Sequence, residues 1–573
     1  MAKIRNYSEN VYQTRNAATE KGTPSLDTLP RKGYICSKLQ LQAHVESGYR
    51  LPAVGLNGHS LHYQIRQIHM KRTLFLFLLI MAAVLHAPAQ TRLELPMTYG
   101  NSMVLQRNQP ITLSGKAVPG SKVTVVLALN SGKKVRRTAD ATITGTWKVK
   151  LPSMQAGGPH TLTIESGNER CTFEDVWIGE VWLCSGQSNM ELPLSSIVTA
   201  KHDLQVADTL SRVHLFNMPS PWPTYAQVWP ASFVDSLDRR LLPQTGEWRR
   251  CSAEAAKGFS AIGFHFGRIL ADSLKCHVGL INNAVGGSTT EGWIDSMSLA
   301  TDMPEMLQGD WRKNPNIMEW ARQRADYNLK AADPSRPHRH PYAPTFLFEE
   351  GLRPVLKHQV KGVLWYQGES NADLPEVHCR LFPLLEKSWR RAFQNASLPF
   401  LTVQLSSIST RPIWPTFRNS QRLLADSLSR TWMTVSSDLG DSLDVHPRRK
   451  APVGERLSAS ALAHVYGWKH VVPSGPEPLR AEVGEGGSVV VGFRYGEGMH
   501  PQAGERFVGF EVAGADGVYH AVDDIHVEGT SLHLRTARVA HPCKVRYGWQ
   551  AYTHANLVNG RGFPCSTFEL DVK

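Results

Sequence analysis

Four short polar segments carry the residue types that acyl transfer needs. They are Gly186-Gln187-Ser188-Asn189-Met190, Asn282-Asn283-Ala284-Val285-Gly286-Gly287-Ser288-Thr289, Trp365-Tyr366-Gln367-Gly368-Glu369-Ser370-Asn371 and Asp444-Val445-His446-Pro447. Such chemistry requires a nucleophile, a base to take its proton, and donors aimed at the developing oxyanion. Ser188 supplies a hydroxyl nucleophile and His446 a base. The backbone N–H of Ser188, that of the Gly286-Gly287 turn and the side-chain amide of Gln367 are the candidate donors. Glycine lets the backbone approach a substrate closely, and glutamine offers an uncharged N–H. Each segment alone has a plainer reading, as a helix-capping Ser/Asn turn, a Gly-Gly turn or a surface His-Pro loop. Their chain order Ser…Gly…Gln…His, each after a strand-like run, carries the case.

The elements that must position these segments are buried strands alternating with helices. Val181–Cys184, Val278–Ala284, Val360–Tyr366, Phe400–Leu405 and Trp432–Ser436 are short apolar runs of strand length. Helical patterns fall between or after them at Ser260–Leu274, Leu381–Phe393, Thr416–Leu428 and Lys450–Tyr466. Strands interleaved with helices predict a parallel, doubly wound sheet, whose chemistry gathers at the strands' carboxyl ends. Residues 90–174 read as an N-terminal β-sandwich, with strand-like runs from Ser121, Thr146 and His160 separated by turn residues. Residues 175–470 form the α/β part, and residues 471–573 are β again, with runs from Ser488, Phe507 and Ser531.

Charge excludes one class of partner. The net charge is +13, but the first 72 residues hold 11 Lys/Arg against 4 Asp/Glu and carry more than half of it. The remainder is spread thinly and shows no nucleic-acid motif. Met70-Lys71-Arg72, the apolar run Thr73 to Leu85 and His86-Ala87-Pro88-Ala89 read as a secretory signal over residues 70–89. The expected cleavage follows Ala89, which places the mature protein in the periplasm or outside the cell. Residues 1–69 then read as an extension upstream of the true start at Met70. Of eight cysteines, seven follow the signal, and Cys543 with Cys565 is the candidate bridge. No Cys/His cluster has metal-ligand spacing, so neither metal nor cofactor is expected.

The sequence resembles the SGNH-hydrolase superfamily and, within it, the sialate O-acetylesterase type of carbohydrate esterase. The resemblance rests on Gly186-Gln187-Ser188-Asn189-Met190-Glu191, Gly258-Phe259-Ser260-Ala261, Gly279-Leu280-Ile281-Asn282 with Gly286-Gly287, Lys361 to Asn371, and His446-Pro447 with Lys450, Val453-Gly454 and Arg456-Leu457. It runs from about Leu93 to Asp571. It implies a flavodoxin-like (SGNH) doubly wound parallel sheet flanked by N-terminal and C-terminal all-β domains. It also implies a Ser–His mechanism without metal and removal of O-acetyl groups from sialic acids. By position it makes Ser188 the nucleophile, His446 the base, and Gly287 (or Gly286) with Gln367 the oxyanion donors. The superfamily's orienting acid stands three residues before the histidine, where this chain has Leu443. Asp444 is the favoured replacement, with Asp441, Asp438 or a dyad held by a backbone carbonyl as alternatives.

Asn189, Glu369 and Trp293 complete the candidate site as substrate-binding residues, although Trp293, like Trp182 and Trp365, also reads as core or pocket wall. For Glu369 a structural role in its turn is favoured over sugar contact, because a carboxylate beside an oxyanion opposes the developing charge. Three rival readings remain. An α/β-hydrolase would need Gly-x-Ser-x-Gly, but Met190 stands at the final position. Another acetylated carbohydrate, such as acetylated xylan, is the alternative substrate. A non-catalytic carbohydrate-binding protein is the alternative of another class.

Overall fold

The computed structural model describes residues 92–503 and 506–573. The signal-like segment, the 69 residues before it and Cys36 lie outside that range. Seven strands open the described chain: β1 (Val104–Gln106), β2 (Pro110–Lys116), β3 (Lys122–Ala128), β4 (Lys134–Asp140), β5 (Thr146–Ser153), β6 (Gly157–Ser166) and β7 (Glu169–Gly186). Strand β3 pairs with β4 and β6, β6 pairs with β7, and β2 pairs with β5.

Strand β7 then does something the sequence reading divided in two. It runs 18 residues, alternating half-exposed and exposed positions over its first third and becoming continuously buried from Ile178 to Gly186. That switch is the signature of an antiparallel sheet with one wet face turning into a parallel sheet covered on both faces. The division expected at residue 174 therefore falls inside one strand, which serves the N-terminal β region and the α/β sheet alike.

The α/β sheet adds β8 (Val213–Asn217), β9 (Glu247–Arg250), β10 (Val278–Asn282), β11 (Gly362–Tyr366), β12 (Phe400–Val403) and β13 (Thr431–Thr434). Its order is β13-β12-β11-β7-β10-β8-β9, parallel throughout except for the edge strand β9. The mixed α/β character is as expected, but the order is not that of flavodoxin. A flavodoxin-like sheet would seat β8 beside β7, whereas β10 stands between them, paired to both. Alternate side chains of β7 enter different cores, as a pleated strand requires. Val181 and Leu183 join a cluster continuous with the N-terminal strands, while Trp182 and Cys184 join the one under the helices Ala261–Leu274 and Ala451–Ser460. Among the described residues no helix is long and apolar enough to cross a membrane.

The C-terminal region holds two four-stranded antiparallel sheets around its own core of Val491, Phe510, Val545 and Phe568. Cys543 is exposed and Cys565 buried, and both are free thiols, so the expected bridge is absent. The other five described cysteines are free as well.

Candidate active site

The switch point of the sheet lies at β7, whose neighbours β10 and β11 feed loops on either side of it. Open α/β sheets place their sites in such a crevice, outside the carboxyl ends of the strands. Gly186 ends β7 at φ +126°, and a Cβ there would lie 2.1 Å from the Tyr366 carbonyl oxygen. Only glycine fits that approach, and it turns the chain sharply into the short helix Ser188–Glu191. The Gly186 carbonyl accepts from Val285 N–H and from the Ser288 hydroxyl, each at 3.1 Å. The serine turn and the glycine turn are thereby tied together.

Ser188 and His446, 258 residues apart in sequence, meet here: His446 Nε2 lies 2.8 Å from Ser188 Oγ. Burial holds the His446 pKa below the ordinary imidazole value, with the Lys450 ammonium acting in the same direction and Asp444 opposing both. The neutral ring needed to accept a proton is thus favoured at neutral pH. Gly287 sits at φ +70°, where a Cβ would strike the Tyr342 hydroxyl at 2.0 Å. A Cβ on Gly286 would lie 3.8 Å from Ser188 Cβ, so the turn closes directly over the serine. The Gly286 amide supports the carboxylate of Glu191, which burial raises to about 7. Among the described residues no acceptor meets the N–H of Ser188 or that of Gly287.

Several expected roles do not survive the geometry. Gln367 is buried, and its Nε2 donates to the Ser288 carbonyl at 3.2 Å and to Asn371 Oδ1 at 2.6 Å, while its Oε1 accepts from the Thr290 hydroxyl. Both amide hydrogens are committed, so Gln367 braces the glycine loop rather than facing an oxyanion. Trp293 is fully enclosed, packed edge-on against Trp365 and Trp389, with its Nε1 donating to Ser288 Oγ. No sugar can reach it.

Asn189 is also enclosed. Its Nδ2 donates to Glu369 at 2.5 Å and to the Val445 carbonyl at 3.0 Å, and its Oδ1 accepts from the Lys450 ammonium. Asn189 and Glu369 thus form a buried network with Lys450 in place of a substrate contact. Burial raises the Glu369 pKa and lowers that of Lys450 to about 7. Lys450 was legible only as part of a motif. Its place beside the nucleophile's neighbour comes from the fold.

Distances separate the three candidate acids. Asp438 makes a two-pronged ion pair with Arg456, at 2.8 and 2.6 Å, and is committed to it. Asp441 Oδ1 accepts from the N–H groups of Leu443 and Asp444, shaping the histidine loop. Asp444 Oδ1 accepts from the His446 N–H at 2.8 Å but stands 3.7 Å from Nδ1. That is ion-pair range, too long for a hydrogen bond. Among the described residues no cluster of three or more His, Cys, Asp or Glu could hold a metal ion.

Comparisons with known proteins identify the family. Residues 342–463 match the family model for carbohydrate esterase, sialic acid-specific acetylesterase. The sialate O-acetylesterase of Pongo abelii is 30% identical over 413 residues, covering 67% of this chain and 73% of the relative. That of Mus musculus is 29% identical over 422 residues, covering 67% and 75%. A carbohydrate acetylesterase from Xanthomonas citri superposes with a TM-score of 0.69 at 31% identity, covering 84% of this chain and all of the other. The chain belongs to the sialate O-acetylesterase family of carbohydrate esterases, and it is a carboxylic ester hydrolase acting on acetylated carbohydrates.

Proposed function

We propose that this protein is a secreted or periplasmic serine esterase that removes O-acetyl groups from sialic acids through a Ser188–His446 acyl-enzyme mechanism. The observation that carries the reading is the 2.8 Å contact between His446 Nε2 and Ser188 Oγ at the switch point of the sheet. Neutral His446 takes the Ser188 proton as Oγ attacks the acetyl carbonyl. The N–H groups of Ser188 and Gly287 meet the oxyanion, and the imidazolium returns the proton to the departing sugar hydroxyl. Water, activated by the same histidine, then attacks the acetyl-serine and releases acetate. Asp444 acts on His446 through space and through the loop backbone. The segment from Met70 to Ala89 supports export.

The test is turnover of O-acetylated sialic acid measured beside acetylated xylan, with acetate release as the readout. Preference for the sialate ester supports the assignment. Preference for xylan replaces the substrate and keeps the mechanism.

A further inference from the structure

A polar and aromatic wall stands against the Gly286-Gly287 turn, on a segment to which the sequence assigns no role. The helix Glu319–Asn328, inserted between β10 and β11, carries Trp320 and Arg324 four residues apart and therefore on one face. The Trp320 ring edge closes on the glycine turn, since a Cβ on Gly287 would lie 2.8 Å from its Cη2. Thr224 reaches the same turn from the loop between β8 and β9, its hydroxyl donating to the Gly286 carbonyl at 3.1 Å. The Arg324 guanidinium lies 5.2 Å from the centre of the Trp320 ring, and its Nη1 donates to the Thr224 carbonyl at 2.8 Å. Both side chains are only partly buried. Among the described residues Arg324 has no carboxylate partner, and its Nε and Nη2 have no acceptor.

Gly286, Thr224, Arg324, Trp320 and Gly287 thus form a closed run of neighbours, which adjoins Ser188 through Gly286. The part of the Trp320 indole left open between Arg324 and Tyr342 offers apolar surface to a sugar ring, and a guanidinium with free donors matches a carboxylate in two-pronged fashion. Arginine stacked on an aromatic ring keeps a fixed plane, which favours that geometry over a mobile lysine.

We propose that Trp320 and Arg324 form the sugar-recognition wall of this esterase: Trp320 packs on the sugar ring and Arg324 pairs with the substrate's carboxylate. The assignment of Arg324 rests on the sialate reading. That of Trp320 requires only an acetylated sugar.

The experiment measures kcat/KM of Arg324→Gln, Arg324→Lys, Trp320→Ala and Trp320→Phe on three esters: O-acetylated sialic acid, the methyl ester of the same compound, and p-nitrophenyl acetate, which has no sugar. For Arg324→Gln the ratio of acid to methyl ester should fall about 30-fold, carried by KM, as expected for one charge-assisted pair. Arg324→Lys should recover part of it. For Trp320→Ala the ratio of either sialate ester to p-nitrophenyl acetate should fall about tenfold, and Trp320→Phe should restore most of it. An unchanged acid-to-methyl-ester ratio in Arg324→Gln overturns the pairing, whatever its effect on all esters together. An unchanged sugar-to-phenyl ratio in Trp320→Ala overturns the stacking. If the wild type prefers acetylated xylan, the sialate reading and the role of Arg324 fall together, and the Trp320 ratio measured on xylan judges the stacking alone.

Discussion

Asp444→Asn separates a Ser–His–Asp triad from a Ser–His dyad with an acidic neighbour. The carboxylate lies 3.7 Å from His446 Nδ1, and the two side chains are 49% and 38% exposed. At that distance in a water-like medium, two unit charges interact by about 1.1 kcal/mol, or roughly sixfold in rate if the whole term acts on the imidazolium of the transition state. Asparagine keeps an oxygen to accept the His446 N–H, so the loop should hold its shape. The expected loss in kcat is therefore below about tenfold, far from the ~10⁴ seen when a buried, hydrogen-bonded triad acid is neutralised. The same change removes the influence that raises the His446 pKa, so the acid limb of the pH–rate profile should move to lower pH. The assay is steady-state hydrolysis of a soluble acetyl ester from pH 4 to 9, with circular dichroism to verify folding. A loss of a hundredfold or more in a folded variant would refute the reasoning, showing that the carboxylate closes on Nδ1 when substrate binds.

Ser188→Ala should lower kcat by at least about 10³-fold with little change in melting temperature, since among the described residues its hydroxyl bonds only to His446; activity within tenfold of wild type removes it from the mechanism. The wild-type kcat/KM should rise with pH through a single acid limb whose midpoint lies below the ordinary imidazole value of about 6.5, because a lowered pKa leaves His446 neutral there; a midpoint above that value contradicts the assignment. Gln367→Ala strands the Ser288 carbonyl and takes one hydrogen bond each from Thr290 and Asn371, which keep their bonds to one another, at a cost of about 2 kcal/mol. It should thus show first as a lowered melting temperature, whereas a loss of a hundredfold in kcat with no change in melting would restore Gln367 as an oxyanion donor.

What could be read from the sequence was what local patterning specifies. Apolar runs bounded by Gly and polar residues placed β10, β11, β12 and β13 to within a few residues, because buried parallel strands are nearly continuous in hydrophobicity. The segments following β7, β10 and β11, together with the His446 loop, were recognisable because they carry chemistry-bearing residues. Strand β8 was missed although its sequence Val213-His-Leu-Phe-Asn is mostly apolar, since His214 interrupts the run and is itself enclosed, bonded to His277 and the Ser102 carbonyl. The surroundings of Gln367 were not legible for another reason. A side-chain amide after a strand looks like a free donor until the acceptors around it are known, and those come from residues 288 and 371. Trp293 likewise reads as either core or pocket wall from its place after the glycine turn, and only packing against Trp365 and Trp389 shows it enclosed. Trp320 and Thr224 carry no local signal of their place beside the turn, which depends on chain segments about 60 residues before and 30 after it.

The Asn189 bridge explains how a dyad can hold its geometry without a close orienting acid. Asn189 follows Ser188, and Val445 precedes His446. A single hydrogen bond of 3.0 Å joins the amide of the first to the carbonyl of the second. The nucleophile and base are therefore each one residue from the same link. That link is itself fixed, because Asn189 spends its remaining donor on Glu369 and its oxygen on Lys450. Placing a buried ammonium and a buried carboxylate on opposite ends of one neutral amide lets each be compensated without crowding the serine, and burial makes the loss of either partner costly. Asp441 and Asp444 fix the same loop from the solvent side through backbone N–H groups. On the proposed mechanism the loop carrying the imidazole is held by these bonds on both sides, and Asp444 then acts as an electrostatic influence rather than as the group that holds the ring.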